Sequence, residues 1–192
     1  MQQKRYLDTN LYLYLCETDN SKHSCHPNKK EAQIITSYLA CEEALYIYIN
    51  KESKGTFVKE YDDISDLINK LNEFNKKIKI ADDNLSGIYG KSQEIIDNLI
   101  RSKIELKKSR IHLKQKNRLL NAMDIFHLAY ADSEGCQEFA TTDRGFSVLE
   151  RLSKNYSIQN IKQILIYDSN KLENDKKVSI VNVPDYSNKT LE

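Results

Sequence analysis

A chain of 192 residues is long enough to bury a sizeable core and too short for a multidomain machine. With 40% hydrophobic and 30% charged residues but only 5 Gly and 2 Pro, it is neither a disordered, a collagen-like nor a low-complexity polymer. No apolar run approaches the roughly 20 residues that cross a bilayer, and the opening MQQKRYLDTN is polar where a secretory leader has its apolar core. A soluble, helix-rich cytoplasmic globule with no membrane partner is expected.

Arg5 to Leu7 reads as a short strand that ends in Asp8, and Asn10 is placed to cap a helix built on LYLYL. After the polar stretch SKHSCHPN, Ala32 to Thr36 reads as a second strand and Tyr38 to Ile49 as a helix. Ile64, Leu67, Ile68, Leu71, Phe74 and Ile78 recur at helical spacing and predict a helix over 62–80, followed by a turn at ADDNLSGIYG. A long helix is predicted over 92–119. Its Leu99, Leu106, Leu113 and Leu120 form one stripe and Ile100, Ile104 and Ile111 a second, with Lys103, Lys107, Arg110 and Lys114 between them. Two apolar stripes also suit a homodimer contact. From Asn121 the pattern shortens: a helix over 122–131, a strand over 138–142, a helix over 145–152, and strands over 163–167 and 178–183, stopped by Pro184. Strands alternating with helices predict an α/β fold with a mainly parallel sheet, in a single domain over 1–192 with a helical insertion at about 51–118.

Cys16, Cys25, Cys41 and Cys136 form no CxxC pair, so free thiols are expected. His23, Cys25 and His26 lack the paired spacing of a zinc site and sit in a stretch that reads as a loop. The net charge of +1 says little, but its distribution says more. Arg101 to Arg118 holds eight Lys or Arg against the single Glu105, a basic ridge on a nearly neutral chain.

Two strand-like segments, KRYLD and EFATTD, finish in an Asp at the carboxyl edge of the expected sheet, where ligands of open α/β sheets bind. Asp124 opens an otherwise apolar helix, and Glu43 stands on the helix after the second strand. Four carboxylates brought together repel one another unless a cation joins them, and hard oxygen donors suit Mg²⁺ or Mn²⁺. Such an ion supports phosphodiester hydrolysis.

In their order, YLDTN, SYLACEEAL, NAMDIFHLAYA and FATTDRGF resemble the signature of PIN-domain ribonucleases, including the VapC-type toxins of toxin–antitoxin pairs. The resemblance spans about 4–50 and 119–184; the stretch 51–118 is longer and more basic than a minimal toxin of this type has. It implies a three-layer α/β/α fold with about five mainly parallel strands and Mg²⁺ or Mn²⁺ dependence. It also implies endonucleolytic cleavage of single-stranded RNA, an antitoxin as a possible protein partner, and an acidic set of Asp8, Glu43, Asp124 and Asp143.

Each residue also has a plainer reading. Asp8 is a helix-capping candidate, and Asp124 is the far member of an Asn121-x-x-Asp124 capping pair. Glu42 adjoins Glu43, and neighbours on a helix point about 100° apart, so only one of them faces the site. Thr142 is a candidate partner for a metal ligand or the phosphate, Arg144 reads as a solvated loop residue, Phe126 and Phe146 as core, and His127 as a core-edge histidine. The basic ridge of Lys103, Lys107, Arg110 and Lys114 is either a solvated face or the surface that holds RNA. Two alternatives stand beside the nuclease. A haloacid-dehalogenase-type phosphatase needs a second Asp where this chain has Asn10; a non-catalytic PIN-like module would bind RNA or protein without turnover.

Overall fold

Four apolar runs with no polar face become the inner strands of one sheet. In the computed structural model, which describes residues 2–50, 64–81, 84–102, 120–152 and 157–184, these are β1 (Gln3–Leu7), β2 (Ala32–Thr36), β4 (Glu138–Thr141) and β5 (Gln163–Tyr167). Alternate side chains enter opposite cores. Tyr6, Ile35, Phe139, Ile164 and Ile166 pack on one side, and Leu7, Ile34, Ala140, Leu165 and Tyr167 on the other. That two-sided burial is the mark of a parallel sheet covered on both faces, and it explains why these strands read as continuous apolar runs.

The sheet has six strands in the order β3-β2-β1-β4-β5-β6, with β3 (Lys79–Ile80) parallel to β2 at one edge and β6 (Lys177–Asn182) antiparallel to β5 at the other. The expected count of about five falls short by β3. That strand is only two residues long, and Ile78 just before it continues the helical rhythm of the preceding segment. The chain between β5 and β6 contains nothing longer than a 3-10 turn at Leu172–Asn174, too little for a crossover, so β6 returns antiparallel.

One face of the sheet carries α1 (Thr9–Thr18), α2 (Tyr38–Asn50) and α3 (Ile64–Asn75) through Leu11, Leu13, Leu15, Ala40, Ala44, Leu67, Leu71 and Phe74. The other carries α4 (Leu85–Arg101) and α5 (Ala122–Ser133) through Ile88, Ile95, Leu99, Ile125, Leu128 and Ala129. These are the three layers expected. Helix α4 starts well before Ser92, inside the segment read as a turn. Asn84 caps it by accepting the Gly87 N–H at 3.2 Å, and Gly87 and Gly90 fall on its exposed side, where a missing side chain leaves no hole. Its described end is Arg101, and the continuation to 119 lies outside the described residues. Helix α3 ends at Asn75, short of Ile80, where the chain turns into β3. Within 51–118, the described residues thus supply two helices and an edge strand.

The polar loop before β2 is not solvated. His23, Cys25 and His26 are all buried. His23 Nδ1 accepts the Cys25 N–H, the Cys25 thiol donates to Tyr167 Oη, and His26 Nε2 meets Asp19 at 3.0 Å. Beneath them Arg5 is locked to Glu138 at 2.6 Å. All four cysteines are free thiols, as expected.

Candidate active site

Parallel pairing of β1 with β4 puts their carboxyl ends side by side. The β1–β4 pair is also the point where the strand order reverses, since β2 and β3 lie on one side and β4 to β6 on the other. Crevices in open α/β sheets form at such switch points. The Asp8 amide donates to the Ala140 carbonyl at 2.9 Å, which fixes Asp8 beside that switch point at the carboxyl edge of the sheet. Asp143 follows β4 by two residues on the other side.

Each aspartate is held by local turn chemistry. Asp8, and not Asn10, is the N-cap of α1: its Oδ1 accepts the Thr9 N–H at 2.9 Å, while Asn10 lies one residue inside the helix. Capping and an acidic site role are therefore not alternatives here. Asp8 Oδ2 accepts the Thr141 hydroxyl at 2.6 Å, and Thr141 Oγ1 accepts the Asp143 N–H at 2.9 Å. One hydroxyl thus ties the two aspartates together. Thr142 was the expected threonine; Thr141, the last residue of β4, makes the link instead. Asp143 then accepts the Gly145 N–H at 2.7 Å and caps the 3-10 helix Arg144–Arg151. Arg144 is exposed and Phe146 lies in the core, both as expected.

Asp124 closes a reciprocal capping box at the start of α5: Asn121 Oδ1 accepts the Asp124 N–H at 3.0 Å, and Asp124 Oδ2 accepts the Asn121 N–H at 2.6 Å. Burial, with the charges of Asp8 and Asp143 added, outweighs that cap and pushes the Asp124 carboxyl up to about 7. Asp8 is also raised, mainly by burial, against the opposing pull of His127, Thr141 and Thr9. Asp124 of α5 therefore lies within electrostatic reach of both Asp8, which follows β1, and Asp143, which follows β4.

Glu43 comes from α2, and Glu42 beside it is exposed. Glu43 Oε2 receives the Thr9 hydroxyl and stands 2.7 Å from His127 Nε2. His127 is more than a core-edge residue. It is 2% exposed, its Nε2 lies 3.7 Å from Asp8 Oδ1, and its Nδ1 lies 2.8 Å from Tyr6 Oη, which in turn meets Ser37 Oγ at 2.7 Å. Burial alone would lower its pKa; the Glu43 hydrogen bond and the Asp8, Glu43 and Asp124 charges win and raise it. Its spacing of three residues from Asp124 was the only signal in the sequence, since Tyr6, Ser37 and Glu43 are all remote from it in the chain.

Among the described residues, no three His, Cys, Asp or Glu side chains form a ready-made ligand set. The donor chemistry nevertheless fits a hard dication: anionic oxygens that repel one another, each with a lone pair beyond those its protein donors use. Asp8, Asp124 and Asp143 are the residues that would hold it. Lys103, Lys107, Arg110 and Lys114 lie outside the described residues.

No family sequence model matches the chain, and no curated protein does. Solved structures do. VapBC2 from Rickettsia felis, bound to a DNA fragment from their promoter, matches with a TM-score of 0.50 and 16% identity, over 78% of this chain and 96% of that one. DNA-bound VapBC from Salmonella typhimurium matches with a TM-score of 0.51 and 15% identity, over 84% and 96%. The VapC toxin of such complexes is a PIN domain, and the chain has a PIN-type fold of this kind. At these identities the likeness is one of fold. No described helix is long and apolar enough to cross a membrane.

Proposed function

We propose that the chain is a divalent-metal-dependent endoribonuclease that cleaves single-stranded RNA, the toxin of a toxin–antitoxin pair. The observation that supports this reading is the electrostatic coupling of Asp124 to Asp8 and Asp143 beside the switch point of a PIN-type sheet, with Asp124 lifted to about 7 by burial and by the other two charges. Carboxylates kept in mutual repulsion are stable when a cation joins them, and Mg²⁺ or Mn²⁺ is the class of ion that three hard oxygens select. Such an ion supplies Lewis acidity to a phosphoryl oxygen and makes water more acidic.

The chain's own residues do the rest. Thr141 and Thr9 hold Asp8, the capping box holds Asp124, and Gly145 holds Asp143, so the three carboxylates are oriented before any ion arrives. Hydrolysis joins the oxygen of water to phosphorus, breaks the bond to the 3′ oxygen and leaves a 5′ phosphate, the departing oxygen taking up a proton. The ridge of Lys103, Lys107, Arg110 and Lys114 supplies cations for the RNA backbone. The VapBC neighbours are toxin–antitoxin complexes, which supports an antitoxin as the protein partner.

Purified protein should cleave single-stranded RNA in Mn²⁺, and Asp8→Asn and Asp143→Asn should each abolish cleavage while the proteins stay folded by circular dichroism. Cleavage retained by both variants rejects the assignment. Metal binding without cleavage by the unaltered chain would instead favour the non-catalytic PIN-like module.

A further inference from the structure

A buried chain of hydroxyls and one imidazole runs under the acidic site and ends on Glu43. Ser37 Oγ accepts the Ala40 N–H at 3.3 Å, so its own proton is available for Tyr6 Oη, 2.7 Å away. Tyr6 can then donate to His127 Nδ1 at 2.8 Å, which leaves the imidazole proton on Nε2, facing Glu43 Oε2 at 2.7 Å. The Thr9 hydroxyl donates to the same Glu43 oxygen. With His127 in that tautomer every donor in the chain points the same way, and Glu43, an acceptor when ionised, is the natural end of it. Tyr6 and Ser37 are fully buried, so no water replaces these partners. The chain also joins β1, α2 and α5, the elements that carry Asp8, Glu43 and Asp124.

We infer that His127 is a positioning residue: with Tyr6 and Ser37 behind it, it fixes Glu43 as the carboxylate that orients the attacking water, while the dication is held by Asp8, Asp124 and Asp143. The inference rests on the nuclease reading above. In it the water's oxygen bonds to phosphorus, its proton passes to Glu43, and the 3′ oxygen leaves and is protonated by solvent. An aligned imidazole donor of this sort behaves like the outer partners of metal sites, which orient a working carboxylate without touching the ion.

The test compares His127→Phe, which keeps bulk without a donor, with His127→Gln, whose amide restores an N–H near the Nε2 position. RNA cleavage kinetics and Mn²⁺ calorimetry are measured on both. His127→Phe should lower kcat by about 10- to 100-fold with KM and Mn²⁺ affinity unchanged, and His127→Gln should recover much of the loss. A merely structural role would give no such split and no rescue. Wild-type kcat in His127→Phe overturns the inference, and so does a loss of Mn²⁺ affinity as large as the loss of kcat, which would put His127 or Glu43 on the ion. If His127→Phe fails to fold, Tyr6→Phe takes its place with the same expected split. Should the unaltered chain neither bind Mn²⁺ nor cleave RNA, the nuclease reading fails, and nitrogen-15 NMR of His127 decides the positioning alone: a proton on Nε2 sustains it, and a bare Nε2 overturns it.

Discussion

Asp124 is a capping carboxyl that burial and neighbouring charge work against. Its place in the capping box favours ionisation, yet burial and two neighbouring charges lift it from 3.8 to about 7. The folded metal-free protein therefore holds a proton that the unfolded chain releases near pH 4. That contribution to stability is complete below the unfolded value and is lost as pH rises through about 7. His127, also raised, acts in the same direction. Metal-free protein should melt at progressively lower temperature between pH 5 and pH 8, Mn²⁺ should restore the pH 8 value, and Asp124→Asn should flatten the slope because Asn keeps the cap oxygen and loses the charge. A melting temperature that is flat or rises across this window in the metal-free protein would contradict the clustering of charge.

Between elements, the clearest anchor away from the site is Asp132 near the end of α5. Its Oδ1 accepts the N–H groups of Gln159 at 2.8 Å and Asn160 at 2.6 Å, and its Oδ2 meets Lys91 of α4 at 2.8 Å, with the side chain 1% exposed. One carboxylate thus fastens α4, α5 and the segment leading into β5. Asp132→Ala should cost about 3–5 kcal/mol, because it strands a half-buried ammonium and two amides, whereas Asp132→Asn keeps an acceptor and should cost less. Urea unfolding midpoints measure both, and a loss below about 1 kcal/mol for Asp132→Ala would show that the anchor is dispensable. The inner strands and α5 were legible in the sequence because each buries a run or a face of its own: YL, II, FA and ILIY are apolar on both sides, and Asn121 with Asp124 marks a helix start. What escaped reading depended on context. The strand β3 owes its pairing to β2, the start of α4 hid behind two glycines that only an exposed helix face tolerates, and Thr141 was passed over for Thr142 because a shift of one residue in a strand reverses which face is presented. His127 could not be ranked, since its partners Tyr6, Thr9 and Glu43 come from β1, α1 and α2.

For the molecule as a whole, the proposed nuclease reading assigns the chemistry to the acidic residues at the sheet edge and the holding of the RNA backbone to the Lys- and Arg-rich stretch of the sequence around Lys103 to Lys114. In the inactive Asp143→Asn background, RNA affinity should fall with salt. Replacing Lys103, Lys107, Arg110 and Lys114 by Gln should flatten the log–log slope by roughly 0.7 for each phosphate contact removed. An unchanged slope would make the ridge a solvated face. The candidate aspartates could be picked out in the sequence because a strand-end Asp, a capped helix and a second strand-end Asp are each local signals. Their convergence is a property of the sheet's switch point and could be seen only in three dimensions. The most direct test is therefore anomalous diffraction from crystals soaked in Mn²⁺. The expected result is a peak in the crevice between β1 and β4, at about 2.0–2.2 Å from oxygens of Asp8, Asp124 and Asp143; a saturating soak that leaves the crevice without a peak, or places the ion elsewhere, would contradict it.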